Sequence, residues 1–322
     1  MLCILQKDTN PFFNIASEEY FLKNFSDDIL ILYRNSPSVI IGKHQNTFAE
    51  IDYNFVHENN INIVRRLSGG GSVYHDYGNV NFTFIRNGKE GQLVDFKGFT
   101  KPIVDALARL GVEANYQGQN SLYVKGKKIS GNAEHIFKQR VMHHGTLLFS
   151  TNQQLLARVL YVDLNRYFDK AVKSVRANTT NLIEHISPTL TIDEFINILY
   201  NHLKSSFKES IDYTISHKDS EAIDELIKSK YATWEWNFGY SPTFSFSRDI
   251  LTPNGTLTIN AEVEKGILKT ISIKGNAIPI DQKDSLVQTL VGCSFRPDNV
   301  GNLLNTSSVE KSVKQKLLAN LF

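Results

Sequence analysis

The chain has 322 residues, 41% hydrophobic and 21% charged, which is ordinary for a soluble globular protein and long enough for two domains with separate cores. A formal net charge of +2 excludes a global argument for nucleic acid or an anionic membrane as partner. Two cysteines, Cys3 and Cys293, supply neither a disulfide framework nor a Cys-rich metal site, and no run approaches the ~20 apolar residues of a spanning helix. With no basic leader at the N-terminus, the expectation is a cytoplasmic protein.

In chain order, NIASEEYFLKNF (14–25) has mostly helical apolar spacing, and ILILYRN (29–35) and SVIIGK (38–43) read as strands parted by Ser36-Pro37. The apolar run INIV ends in Arg65-Arg66 and is followed by three glycines, Gly69 to Gly71. Val80, Phe82 and Phe84 alternate with polar residues as a half-buried strand, and Lys101 to Leu110 reads as a helix opened by Pro102 and stopped by Gly111. SLYVK-G-KKISGN predicts a hairpin turning at Gly126, and RVMHHGTLLFS (140–150) the next strand.

Beyond Thr151 helical periodicity takes over in NQQLLARVLYV, in TIDEFINILYNHLKSSF with a capping box at Thr191 and Glu194, and from Asp219 to Lys230. WEWNFGYSP breaks that pattern. Two hairpins follow, with turns at Asn254-Gly255 and Lys265-Gly266, then helical patterns at 281–291 and 308–321. The division into domains falls at 1–246 and 247–322.

Adjacent glycines permit positive φ and let successive amides converge on an anion or a flat ligand face, although a tight turn between strands would need the same residues. The flanking guanidinium groups could offer forked donors to carboxylate or phosphate. Neither the P-loop nor the dinucleotide-binding glycine spacing occurs. In GKKISGNAEH, period-two geometry puts Lys128 and Ser130 on one face, with Gly131 permitting close approach. Lys127 reads as solvated. His143 and His144 face opposite sides of a strand and complete no zinc spacing.

RRLSGGGSVYHDYGN, GKKISGNA, HHGTLLF, SVR…TNL and WEWNFG, in this order, resemble the lipoate–protein ligase family in its full-length form with a C-terminal accessory domain. The resemblance implies an α+β fold: a mixed, largely antiparallel sheet flanked by helices, like biotin–protein ligases and the class II synthetase core, plus a small α/β C-terminal domain. It implies ATP-dependent activation of lipoate to lipoyl-AMP and transfer to a lysine of lipoyl-domain proteins, namely E2 subunits of 2-oxoacid dehydrogenases and the glycine cleavage H protein. From the charge and hydropathy, no nucleic acid and no membrane are expected as partners, and a monomer is the expectation although the oligomeric state is not readable from the sequence. Lys128 matches the catalytic lysine. Arg66, Gly70, Gly71, Ser72, Val73, Tyr74 and Asn79 match nucleotide-binding positions. Glu19, Arg65, Ser68, His75, Ser130 and Ala133 match positions around the acyl group.

Ser121 stands where the family commonly has Asp, which leaves the ligands of Mg²⁺ open. His135 and Ala177 replace common basic residues. An octanoyl or lipoyl transferase of the same fold would need a cysteine beside the lysine, and neither cysteine lies near these motifs. A lipoyl-domain binding module without catalysis is the alternative from another class. The C-terminal domain is expected to cover the adenylate, and YSPTFSFSRD is compatible with a hinge and equally with an ordinary loop.

Overall fold

The computed structural model of the chain describes residues 1–88, 93–118, 120–160, 166–186 and 190–322. Its strands are β1 (Leu2–Leu5), β2 (Ile29–Tyr33), β3 (Ser38–Ile41), β4 (Asn62–Arg65), β5 (Val73–His75), β6 (Asn79–Asn87), β7 (Asn115–Gln117), β8 (Ser121–Val124), β9 (Lys127–Phe137), β10 (Arg140–Leu148), β11 (Tyr167–Asp169), β12 (Ile211–Asp212), β13 (Phe244–Thr252), β14 (Gly255–Glu264) and β15 (Ile267–Gly275). The helices are α1 (Pro11–Asn24), α2 (Tyr53–Glu58), α3 (Phe96–Arg109), α4 (Gln153–Val159), α5 (Ile192–Ser205), α6 (His217–Leu226), α7 (Ile280–Leu290), α8 (Pro297–Thr306) and α9 (Lys311–Leu321).

The chain forms two compact units, the first from Met1–Lys43, Ile61–Arg158 and Ser174–Thr233, the second from His44–Asn60, Val159–Lys173 and Trp234–Phe322. In the first unit an eight-stranded sheet runs β12-β1-β2-β6-β10-β9-β8-β7, parallel at β12-β1 and β1-β2 and antiparallel elsewhere. Val80, Phe82 and Phe84 point one way, into a core shared with Phe99, Ile103 and Leu107 of α3 and Phe195, Leu199 and Leu203 of α5. Thr83 points the other way, toward α1, as period-two geometry requires. The three-stranded sheet β4-β3-β5 in the same unit carries the residues before and after the glycine turn.

Local signals explain most boundaries. Asn10 caps α1 through its side-chain oxygen, with Pro11 in the first turn, and the Thr191–Glu194 capping box opens α5. Lys125 and Gly126 both have positive φ, 47° and 77°, as a two-residue hairpin turn demands.

Helix α3 corrects one expectation. It starts at Phe96, because Asp95 accepts the Gly98 amide hydrogen bond, so Pro102 lies inside the helix and does not open it. The WEWNFG segment is a π-helical turn, Glu235–Gly239, and not a break, and α8 lies where no helix was expected. The helical pattern expected beyond α4 runs at 161 and 162 outside the described residues.

In the second unit β11-β13-β14-β15 packs against α7, α8 and α9 around Phe246, Leu257, Ile259, Phe295, Val313 and Leu317. No helix among the described residues is long and apolar enough to cross a membrane.

Candidate functional site

The site belongs to the first unit, where the turn after β4 is held from beneath by an arginine. Arg66 is 5% exposed; its Nε donates to Ser68 Oγ (2.9 Å), one terminal nitrogen to the Ile40 carbonyl (3.0 Å), and the other to the Gly69 and Gly71 carbonyls (2.7 and 2.8 Å). With these carbonyls drawn inward, the Gly70 and Gly71 amides have no hydrogen-bond partner among the described residues. Gly70 has φ +90°, a backbone conformation that favours glycine, whereas at Gly71 the constraint is space: a Cβ there would lie 2.9 Å from Ser174 Oγ and 3.1 Å from its Cα. Ser174 Oγ accepts from the Ser72 amide at 2.8 Å. Arg65 is fully buried and donates to the carbonyls of Gly42 and Lys43.

Lys128 enters β9 at a β-bulge. Tyr123 pairs with Lys128 but Leu122 pairs with Ser130, so Ile129 is one residue too many for the ladder. Lys128 and Ser130 therefore do not share a face, contrary to the period-two expectation. Ile129 joins the core, and Ser130 accepts from Asn132, which bonds His143. The Lys128 side chain instead folds toward Gly131, where a Cβ would lie 3.4 Å from both Cε and Nζ. Its backbone is fixed from the other side: Lys128 N–H donates to the Asn178 carbonyl (2.8 Å), and Thr180 N–H to the Lys128 carbonyl (3.1 Å). The ammonium has no hydrogen-bond or carboxylate partner among the described residues, and burial lowers its pKa. Lys127 is exposed.

Between these parts runs a buried polar chain. Ser68 Oγ meets His144 Nε2 at 2.6 Å, and His144 Nδ1 meets Glu18 Oε2 at 2.9 Å. Tyr33 and Thr83 donate to the other Glu18 oxygen. Burial alone would raise the Glu18 carboxyl, but the His144 charge and the hydrogen bonds of His144, Thr83 and Tyr33 bring it below its ordinary value. His143 faces the opposite side, stacked on Phe99 at 5.0 Å.

Glu19, next along α1, accepts from Lys23, Lys230 and Tyr231 (2.5, 2.6 and 2.6 Å), and these bonds outweigh burial to lower its carboxyl too. His75, in β5, is 3% exposed and is pushed down to about 3 by burial and then by the Arg66 and His144 charges. At the start of β6, Asn79 donates to Asn81 Oδ1 (2.7 Å), leaving Asn79 Oδ1 and Asn81 Nδ2 buried with no partner among the described residues. The Tyr74 hydroxyl is likewise buried with no partner among the described residues, while Val73 is half-buried and Ala133 pairs with His144 across β9 and β10.

Glu18, Asn35, Asn81 and Ser174 were not singled out by sequence reasoning. Glu18 left a trace as half of an acidic pair in a helix otherwise buried almost all round, and Ser174 as the first residue of the SVR motif.

Among the described residues no group of three or more His, Cys, Asp or Glu side chains could hold a metal ion. The residues present do not fit a protein-built Mg²⁺ cage.

Comparison with known proteins adds independent findings. A family model described as the lipoyl protein ligase A/B catalytic domain matches residues 10–204, and one described as the bacterial lipoate protein ligase C-terminus matches 241–322. The chain is 37% identical to lipoate-protein ligase LplJ of Bacillus subtilis (strain 168) over 303 residues, 93% of this chain and 92% of that one. It resembles the solved structure of a bipartite lipoate protein ligase, described with its E2 lipoyl domain, from Thermoplasma acidophilum: TM-score 0.65, 28% identity, 74% of this chain and 96% of that one. A lipoate-protein ligase A bound with ATP is similar at TM-score 0.63 and 26% identity, over 74% of this chain and 98% of that one.

Proposed function

Because the chain belongs to the lipoate–protein ligase family, we propose that it activates free lipoate with ATP and passes the lipoyl group to a lysine of an acceptor lipoyl domain. A lipoate carboxylate oxygen attacks the α-phosphorus, and the bond to pyrophosphate breaks. The acceptor amine then attacks the acyl carbon of lipoyl-AMP, the bond to the AMP oxygen breaks, and the amine proton is lost as the amide forms.

One observation carries the assignment of roles. The short segment 174–180 touches both halves of the chemistry: Ser174 holds the glycine turn, and Asn178 and Thr180 hold Lys128. This supports a site in which the Gly70 and Gly71 amides receive phosphate oxygens while the Lys128 ammonium stabilises charge developing on the phosphate and carboxyl oxygens. Arg66 contributes its charge from beneath the turn, most of its hydrogen bonds being engaged there. Glu19, Ser68, His75 and Ala133 are assigned to the acyl side, and Val73, Tyr74 and Asn79 to the nucleotide; the Ser130 hydroxyl, turned with Asn132 to the His143 face, is not assigned to the acyl side. Bound ATP is the natural carrier of Mg²⁺.

Cysteine transfer chemistry is disfavoured, since burial raises both the Cys3 and the Cys293 thiols and so disfavours the thiolate. We assign the reaction to the cytoplasm, a reading supported by the reduced-thiol composition of the chain, with two cysteines far apart in sequence. The test is mass spectrometry of a recombinant E2 lipoyl domain after incubation with the protein, ATP, Mg²⁺ and lipoate. A lipoyl mass increment that requires ATP is expected, and its absence under conditions that support lipoate-dependent pyrophosphate exchange would remove the lipoyl domain as acceptor.

A further inference from the structure

Asn14, Asn35 and His75 form a line of buried side chains whose hydrogen-bonding directions are fixed from one end. Asn14 Nδ2 lies 2.9 Å from the Asp8 carbonyl, 3.1 Å from the Arg34 carbonyl and 2.9 Å from Asn35 Oδ1. The two main-chain carbonyl oxygens at that amide end admit only the NH₂ group there. Asn35 must then present oxygen to Asn14 and nitrogen to the ring, and its Nδ2 lies 3.0 Å from His75 Nδ1. A donor facing Nδ1 makes that nitrogen the acceptor, so the ring proton resides on Nε2. Nε2 is buried and finds no partner among the described residues.

We propose that Asn14 and Asn35 are positioning residues that lock His75 as the neutral Nε2–H tautomer, offering one uncharged donor to an oxygen of the bound acyl-adenylate. The lock is independent of any ligand; the identity of the acceptor rests on the ligase reading. A buried donor without an acceptor is costly, and a ligand oxygen satisfies it without placing a new cation in the site. The charged groups acting on the ring are Arg66 and His144, both disfavouring a second proton. Asp76, next in the chain, has its carboxylate engaged by the amides of Gly78 and Asn152.

The test is NMR of the protein labelled with ¹⁵N-histidine, the His75 signals being assigned by their loss in His75→Gln. Without ligand, His75 is expected to stay neutral and protonated at Nε2 from about pH 5 to about pH 8, across the range where an ordinary histidine titrates. A proton on Nδ1, or titration within that range, would overturn the lock. Adding a non-hydrolysable lipoyl-adenylate analogue is expected to move the Nε2–H proton signal downfield; an unchanged signal with the analogue bound would overturn the assigned acceptor. Failure of the analogue to bind counts against the ligase reading and leaves the lock to be decided by the ligand-free spectrum. Asn35→Asp keeps an acceptor toward Asn14 but removes the donor to Nδ1. It is expected to shift the ring proton to Nδ1 and to weaken analogue binding about tenfold, the size of one hydrogen bond. Wild-type affinity with the tautomer changed would overturn the functional half.

Discussion

Lys128 shows how a single side chain is made available for chemistry. Its backbone is bonded on both edges, its tip rests in the space left by Gly131, and its ammonium is committed to no carboxylate among the described residues. Lys128→Ala is therefore expected to lower lipoate-dependent pyrophosphate exchange by about a hundredfold or more while changing stability by about 0.5 kcal/mol or less. Lys127→Ala should leave both near wild type, and near-normal exchange by the Lys128 variant would remove the mechanism.

Glu19 illustrates the opposite case, a side chain whose bonds are all internal. Its carboxyl is lowered from 4.5, so its contribution is fully present above the unfolded value and is lost as pH falls through the folded one. Glu19→Gln should cost about 1–3 kcal/mol near neutrality, with the gap closing below about pH 4.5, as read by urea unfolding across pH. A gap that does not change with pH would show that packing and not charge is at stake. For His75 the folded value is about 3 against 6.5, so the unfolded chain takes up a proton first and stability falls as pH drops from about 6.5 toward 3. His75→Gln should remove that part of the acid sensitivity.

Elements are positioned by small residues at close approaches. Gly145 lies in β10 where a Cβ would come 2.2 Å from Asn132 Oδ1 and 2.4 Å from Phe82 Cζ, both buried. Gly145→Ala is expected to destabilise the protein by roughly 1–3 kcal/mol in chemical denaturation, because neither neighbour is the free end of a flexible chain. An unchanged midpoint would mean that the sheet relaxes there. Gly71→Val would push against Ser174, hence against the segment that also holds Lys128. Calorimetry with the same lipoyl-adenylate analogue should show binding lost, whereas wild-type binding would reduce the turn to a structural connection.

The turn and the lysine hairpin were legible in the sequence because glycine runs and apolar alternation state their own geometry. The bulge at Ile129 was not, since an extra apolar residue leaves the local pattern unchanged and only the register with Leu122 and Tyr123 reveals it. Pro102 misled for a similar reason: the capping signal at Asp95 lies earlier and is a single side chain.

At the scale of the molecule, the second unit's core is not confined to the C-terminal stretch of the chain. Phe48 lies 5.6 Å from both Phe295 and Phe322 between ring centroids, and Tyr167 packs edge-on to Phe244 at 5.6 Å. A chain ending at Arg248 would lose β14, β15 and α7 to α9 and expose Phe48, Tyr167, Phe244 and Phe246, at about 1.5–3 kcal/mol for each fully uncovered ring. It is expected to bind a hydrophobic dye and to aggregate, with a lowered thermal midpoint. A monomeric, dye-silent truncated chain would show that the remaining residues close over the gap.

What the sequence by itself determined are the features written in neighbouring residues: the β9 hairpin turn, the capping boxes, the glycine turn between arginines, and the ordered motifs that mark the family. Tertiary structure alone decided that His144 bridges Ser68 and Glu18, that Asn35 sets the His75 ring, and that Phe48 and Tyr167 share a core with the C-terminal helices. Each of these joins residues far apart in the chain. Their partners follow from register and packing, which no local period records.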